Sequence, residues 1–387
     1  MRNLDFTLDY AIAKRMNKVS GKFDDSYWRE ISGSQEFPDR YWDALAREGL
    51  FGILIEKKYG GMERGLVDLC LATKETAEHY AGLGSYLYLS GALVSKILSV
   101  NATTEMKEDL LPKLAKGQLK ISIALTEEES GQEVSAIQTK AAKSAQEEFV
   151  INGSKAFVNN ADLANYLLIF ARTKTSGSAK KTSGLTMFLA KADSKAIKKK
   201  KLEKLGMDFV NNFSIEITDL KVSSSMVIGA QDDAWHSIVD IFNMDRIATS
   251  ASLIGTSRLA LSHASKWAKD RKVFGKSIGT NQGIQFPLAE AMAQVEVAEA
   301  MMLKAASLAD QGKSFVNEAN YSLLESSSAA QVATDRALQT LGGHGYYSDY
   351  DVERYWRDVR VHKVHPVSEE LLLASIAERS LGLPRSY

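Results

Sequence analysis

The chain has 387 residues, too many for one small core, so two or three subdomains are expected. Its 48 basic and 48 acidic residues cancel, which gives no charge signal for nucleic acid or an anionic membrane surface. Cys70 is the only cysteine, which excludes an intrachain disulfide and fits a reducing cytoplasm. Residues 1–23 mix charges of both signs without an apolar signal-peptide core, and no stretch is long enough to span a bilayer. The expectation is a soluble cytoplasmic protein.

The first third reads as helical. Pro38 opens a helix where its missing N–H costs nothing, and Gly49 closes it, with Trp42 and Leu45 on one face. Residues 66–98 are rich in Leu, Ala and Tyr and continue the helical reading. Asn101, Thr103 and Thr104 offer N-cap chemistry before another short helix. The middle changes period. Ile121, Ile123 and Leu125 alternate with small or polar residues, as Phe213, Ile215 and Ile217 do later. Phe149, Val150 and Ile151 run into Asn152-Gly153, a dipeptide suited to a hairpin turn. Residues 166–171 and 185–189 are further short apolar runs; 174–183 reads as a solvated loop, and the basic run 198–201 as a solvated edge. A small antiparallel β domain is therefore expected at about 122–229. Long helices then return. Ile254, Ser257, Leu261, Ala264 and Ala268 step by three and four residues. Ala319, Leu323, Ser326, Ala330, Ala333, Ala337 and Leu341 do the same, and their small size suits close helix packing.

Helical, then β, then helical is an unusual order, and the motifs within it resemble the acyl-CoA dehydrogenase family over nearly the whole chain. The resemblance is carried, in family order, by five segments. The first is Gly49-Leu50-Phe51-Gly52 through Tyr59-Gly60-Gly61, and the second Ala124-Leu125-Thr126-Glu127. Residues 155–160 follow, then 271–275 with Asn281-Gln282 and Phe286, then 339–345 with 354–358. The implied fold is α+β and mostly α: an N-terminal helical domain (1–121), a middle antiparallel β domain (122–229) and a C-terminal four-helix bundle (230–387). The implied cofactor is FAD. The implied reaction is α,β-dehydrogenation of an acyl-CoA or carrier-bound acyl thioester, with an acceptor such as an electron-transfer flavoprotein.

By this resemblance Leu125 and Thr126 would meet one edge of the flavin ring. Phe157 and Asn159 would lie along its other side, where the family usually has Trp and Thr or Ser. The family's phosphate-contacting Gly and Ser fall at Gly131 and Gln132. Arg271 and Gln282 would serve the adenosine diphosphate half from a neighbouring subunit, which implies a homo-oligomer, a dimer or a tetramer. Phe274, Gln339, Gly343, Ser368 and Glu370 are likewise implied to bind the cofactor, the last two from the segment that opens the last helix.

The reaction needs a base near the substrate α-carbon, and the commonest relatives place a Glu just before the last helix. Pro366 stands there, and it can neither accept a proton nor offer an N–H. Some relatives carry the base on a helix just before an Arg, a position filled here by Asp245, and by the same resemblance Arg246 next to it would face the thioester region or the CoA. Glu369 and Glu370 suit a helix N-terminus without any catalytic role. The histidines show no metal-ligand spacing, and no metal site is expected. Two other readings stay open at this stage: a flavin oxidase or monooxygenase on the same fold, and a non-catalytic subunit of a hetero-oligomeric dehydrogenase.

Overall fold

The computed structural model of the chain describes residues 11–144, 147–174 and 183–385. Most of the expected 174–183 loop and the first ten residues of the 1–23 segment lie outside the described residues. Among the described residues six α-helices come first: α1 (Ala11–Ser20), α2 (Asp25–Ser34), α3 (Asp39–Arg47), α4 (Leu66–Thr76), α5 (Tyr86–Asn101) and α6 (Thr104–Ala115). Helix α3 starts directly after Pro38, and Gly49 just beyond it takes φ 70°. Tyr41, Trp42 and Leu45 are its buried face. Trp42 lies over Phe51 at 4.1 Å and donates its indole N–H to Gly117 O at 2.9 Å, which ties this helix to the end of α6. Thr103 caps α6 by accepting from Met106 N–H. The helical reading of 66–98 is interrupted. His79 takes extended angles (φ −84°, ψ 166°) and Gly82 takes φ 49°, so α4 and α5 are separate helices.

The middle segment forms β1 (Ile121–Ala124), β2 (Lys140–Lys143), β3 (Glu148–Asn159), β4 (Tyr166–Arg172), β5 (Leu185–Lys191), β6 (Ile197–Leu202), β7 (Asn212–Ser223) and β8 (Val227–Ile228). Their order is β6-β7-β3-β2-β4-β5-β8, with β1 paired to β4. The sheet is mixed rather than purely antiparallel, because β1 and β2 both run parallel to β4. The chain between β1 and β4 is long enough for the crossover that parallel pairing needs. Asn152-Gly153 is not a hairpin turn. Strand β3 runs through it, with a register shift against β7 between Ile151 and Gly153. The Asn152 amide exchanges two hydrogen bonds with Asp219, and a Cβ at position 153 would come within 2.5 Å of the Thr139 hydroxyl oxygen. Glycine there serves a close approach inside a strand. The basic run lies on β6, an edge strand, as its charge suggested.

The last part holds α7 (Ala234–Asp270), a two-stranded ribbon of β9 (Lys272–Val273) and β10 (Lys276–Ser277), then α8 (Gln282–Asp310), α9 (Val316–Leu341), α10 (Val352–Val359) and α11 (Glu369–Leu381). The small residues that step along α7 and α9 are buried. Their size lets the two backbones come close, and buried hydroxyls pair across the seam, Ser322 to Ser250 at 2.9 Å. Among the described residues, no helix is long and apolar enough to cross a membrane.

Candidate functional site

The residue that organises the β1–β3 wall is Lys155. Inward positions on β3 are Phe149, Ile151, Lys155 and Val158, so a lysine occupies an otherwise apolar face. Its side chain is fully buried, and Nζ donates to Leu125 O at 2.9 Å and to Glu127 Oε1 at 2.8 Å. Glu127 also accepts from Gln138 N–H at 2.6 Å and Thr139 N–H at 2.9 Å. The ion pair holds the Glu127 carboxyl below its ordinary value, while burial pulls the Lys155 ammonium down to about 8. Breaking such a buried pair on one side typically costs about 3–5 kcal/mol. Both residues stand inside motifs of the sequence that assign neither of them a role. The signal was there: a charge at an inward strand position needs a partner.

This clamp fixes Leu125 and Thr126 beside β3. Thr126 O accepts from Ala156 N–H at 2.8 Å, while Thr126 N–H has no acceptor among the described residues. A second register shift, between Lys155 and Val158, turns Phe157 outward. Phe157 sits at φ 57° and is 62 % exposed. An aromatic held in the left-handed region and facing solvent carries backbone strain, and strain of this kind gathers at functional sites. Asn159 accepts from the Asn212 side-chain amide on β7. The structure therefore brings Leu125, Thr126, Phe157 and Asn159 onto adjoining segments.

Gln132 bonds two main-chain groups of a distant segment. Its amide donates to Val364 O at 3.2 Å and accepts from Ser368 N–H at 3.3 Å, so it straps the 128–136 loop to the segment that contains Pro366. Neighbouring Gly131 has φ 32° with open space before it, and the Ser130 hydroxyl is buried without a partner among the described residues. Ser368 caps α11, its hydroxyl accepting from Leu371 N–H. Glu369 pairs with Lys363 at 2.9 Å. The Glu370 carboxyl is held below its ordinary value by its own backbone N–H and the Ser368 hydroxyl, as a first-turn acid should be.

The C-terminal segments that resemble cofactor signatures are solvent-facing in the single chain. Arg271 follows α7 and lies 5.9 Å from the Trp267 ring centre. Phe274, at φ 52° in the β9–β10 turn, is fully exposed (102 %), and Gln282 opens α8 on the same exposed stretch. Gln339 and Gly343 are exposed at the end of α9, and a Cβ at Gly343 would meet nothing. His344 packs on Trp267 and Tyr350, a structural role.

Asp245 and Arg246 lie on α7. Asp245 sits deep in the molecule yet keeps some accessible surface, and burial pushes its carboxyl up to about 6 against the attraction of Arg246 and the Thr249 hydroxyl. Arg246 Nη1 donates to Asn243 Oδ1 and Asn320 Oδ1, each at 2.8 Å, and Asn320 donates on to Ser375 Oγ at 2.9 Å. This chain joins α7, α9 and α11 and fixes the cation beside the acid.

The donor set fits a flavin dinucleotide. A flat ring asks for directed backbone donors and an aromatic wall, which the free Thr126 N–H and outward Phe157 provide, and its diphosphate asks for a planar cation such as Arg271.

Comparison with known proteins agrees across the chain. Models of the acyl-CoA dehydrogenase N-terminal, middle and C-terminal domains match residues 11–118, 122–220 and 232–381. An acyl-CoA dehydrogenase of Mycobacterium tuberculosis, FadE12, is 30% identical over 382 residues, 97% of each chain. The caffeyl-CoA reductase-Etf complex subunit CarC of Acetobacterium woodii is 30% identical over 337 residues, 87% of this chain and 88% of that one. Butyryl-CoA dehydrogenase from Megasphaera elsdenii superposes with a TM-score of 0.89 at 27% identity, covering 96% of this chain and 98% of that one.

Proposed function

The chain belongs to the acyl-CoA dehydrogenase family, and from that premise we propose that it removes an α-proton and a β-hydride from an acyl thioester, with Asp245 as the base. As a member it is an FAD-binding flavoprotein and an oxidoreductase acting on CH–CH bonds. When bound, FAD supplies the acceptor for the β-hydride.

The single observation that carries the reading is a carboxyl within α7, raised to about 6 by burial and set immediately before a fixed Arg246. A base with that pKa is largely ionised at neutral pH and poorly solvated, which suits abstraction of a weakly acidic proton. The charge of Arg246, locked between two Asn carbonyls, partly offsets the burial that raises Asp245. Leu125, Thr126, Phe157 and Asn159 would orient the flavin ring. Arg271, Phe274 and Gln282 would reach the dinucleotide of a partner copy, with Gln339 and Gly343 beside it, so the working state is a homodimer or homotetramer. The full exposure of Phe274 in a single chain supports that state. Gly131 would admit the cofactor phosphate closely, while Gln132 and Ser368 hold the Pro366 segment shut beside it.

The substrate is an acyl-CoA or carrier-bound acyl thioester, and the electron acceptor an electron-transfer flavoprotein, in line with the name of the CarC relative. Buried, free Cys70 accords with a cytoplasmic location. Single-turnover mixing under anaerobic conditions tests the base: Asp245→Asn should keep FAD and bind thioester while its flavin no longer bleaches. Unchanged bleaching removes Asp245 from the mechanism.

A further inference from the structure

We propose that Lys155 is a positioning residue that acts on the cofactor through the Leu125–Thr126 peptide, making Thr126 N–H a stronger donor to the flavin and so holding up the flavin's reduction potential. The proposal rests on the reading that the flavin lies against the β1–β3 wall. Leu125 C=O and Thr126 N–H are the two ends of one peptide unit. Lys155 Nζ donates to that carbonyl at 2.9 Å. A cation on the oxygen draws electron density from the nitrogen, and linked hydrogen bonds polarise one another in this way. The far end of the unit is open, since Thr126 N–H has no acceptor among the described residues. It also cannot swing away, because the next carbonyl, Thr126 O, is pinned by Ala156 N–H at 2.8 Å.

The charge on Lys155 is felt strongly because its side chain is fully buried and salt cannot screen it. Glu127 is the charged group that faces it. That carboxylate is shared with the N–H groups of Gln138 and Thr139, at 2.6 and 2.9 Å, so it does not neutralise Lys155 alone. A flavin gains electron density on reduction, and a preorganised donor aimed at the ring favours the reduced form. Burial brings the Lys155 ammonium to about 8, so its charge changes within a readily sampled pH range.

The test is the midpoint potential of the FAD-loaded protein, measured anaerobically by dye equilibration, without substrate, from pH 6 to 9. Lys155→Met should retain FAD, with its oxidised-to-reduced equilibrium shifted at least tenfold toward the oxidised form, about 30 mV lower for a two-electron couple. The potential of the unaltered protein should fall more steeply above pH 8, and this bend should be absent from the variant. If Lys155→Met does not fold, Lys155→Met with Glu127→Gln carries the same measurement, because it removes both charges and leaves an amide oxygen for Gln138 and Thr139. An unchanged potential and pH curve in an FAD-loaded variant overturns the proposal. So does a folded variant that no longer holds FAD, since Lys155 would then build the wall rather than polarise it. No substrate is present, so this outcome is separate from the fate of Asp245 as base.

Discussion

Replacing Asp245 by Asn should trade catalysis for stability, and the trade has a defined pH dependence. The folded-state carboxyl is raised from 3.8 to about 6. At about 1.4 kcal/mol per pH unit, that shift corresponds to at most about 3 kcal/mol, an upper bound because the group keeps some solvent contact. A raised carboxyl binds its proton more tightly in the folded state than in the unfolded one. Stability is therefore full below about pH 4, falls as pH rises toward 6, and stays reduced above that. Asn carries no charge and escapes the penalty. Asp245→Asn should resist urea better than the unaltered protein at pH 8, with the gain vanishing near pH 4. The same variant should lose about 100- to 10,000-fold in the rate of flavin bleaching by substrate, the usual worth of a general base. In the unaltered protein that rate should rise with pH through an inflection near 6. Equal urea midpoints at pH 8, or a bleaching rate without that inflection, would refute the argument that burial primes this carboxyl. Asp245→Glu should retain or raise activity, because it lengthens the reach of the base without changing its chemistry.

Pro366→Glu should rescue little in Asp245→Asn, because Gln132 holds the main chain on both sides of that position; bleaching restored to within tenfold of the unaltered rate would contradict this. Arg271→Ala should release FAD, rather than FMN, on dilution while leaving each subunit folded, as read by chromatography of the released flavin and by circular dichroism. Arg354→Met should lower unfolding free energy by about 3–5 kcal/mol, measured in urea, because buried Asp351, at 3.5 Å, and Asp358 would lose the cation that faces them.

Much of the fold was legible because hydrophobic period and caps agree with it. Pro38 and Gly49 bracket α3, Thr103 caps α6, and the small-residue stripes mark the seam of α7 and α9. Asn152-Gly153 misled because turn propensity is local, while the fit of Gly153 against Thr139 and the Asn152–Asp219 pair are long-range. Parallel pairing of β1 and β2 with β4 was hidden for the same reason: register between distant strands is not written in either strand alone. Motif order singled out Thr126, Phe157 and Arg271, but it could not say what each side chain touches. Gln132 illustrates the gap, since nothing in its motif announces its bonds to Val364 and Ser368. Lys155 was the readable omission, an inward charge on β3 that called for its partner Glu127.

The central claim, dehydrogenation of an acyl thioester, is tested most directly by mixing the FAD-loaded protein anaerobically with a panel of acyl-CoAs and carrier-bound acyl thioesters. Flavin absorbance and the mass of the acyl product would be followed together. At least one thioester should bleach the flavin in a single turnover and be recovered two hydrogens lighter. A flavin that stays oxidised with every thioester, in a protein that dithionite reduces normally, would contradict it.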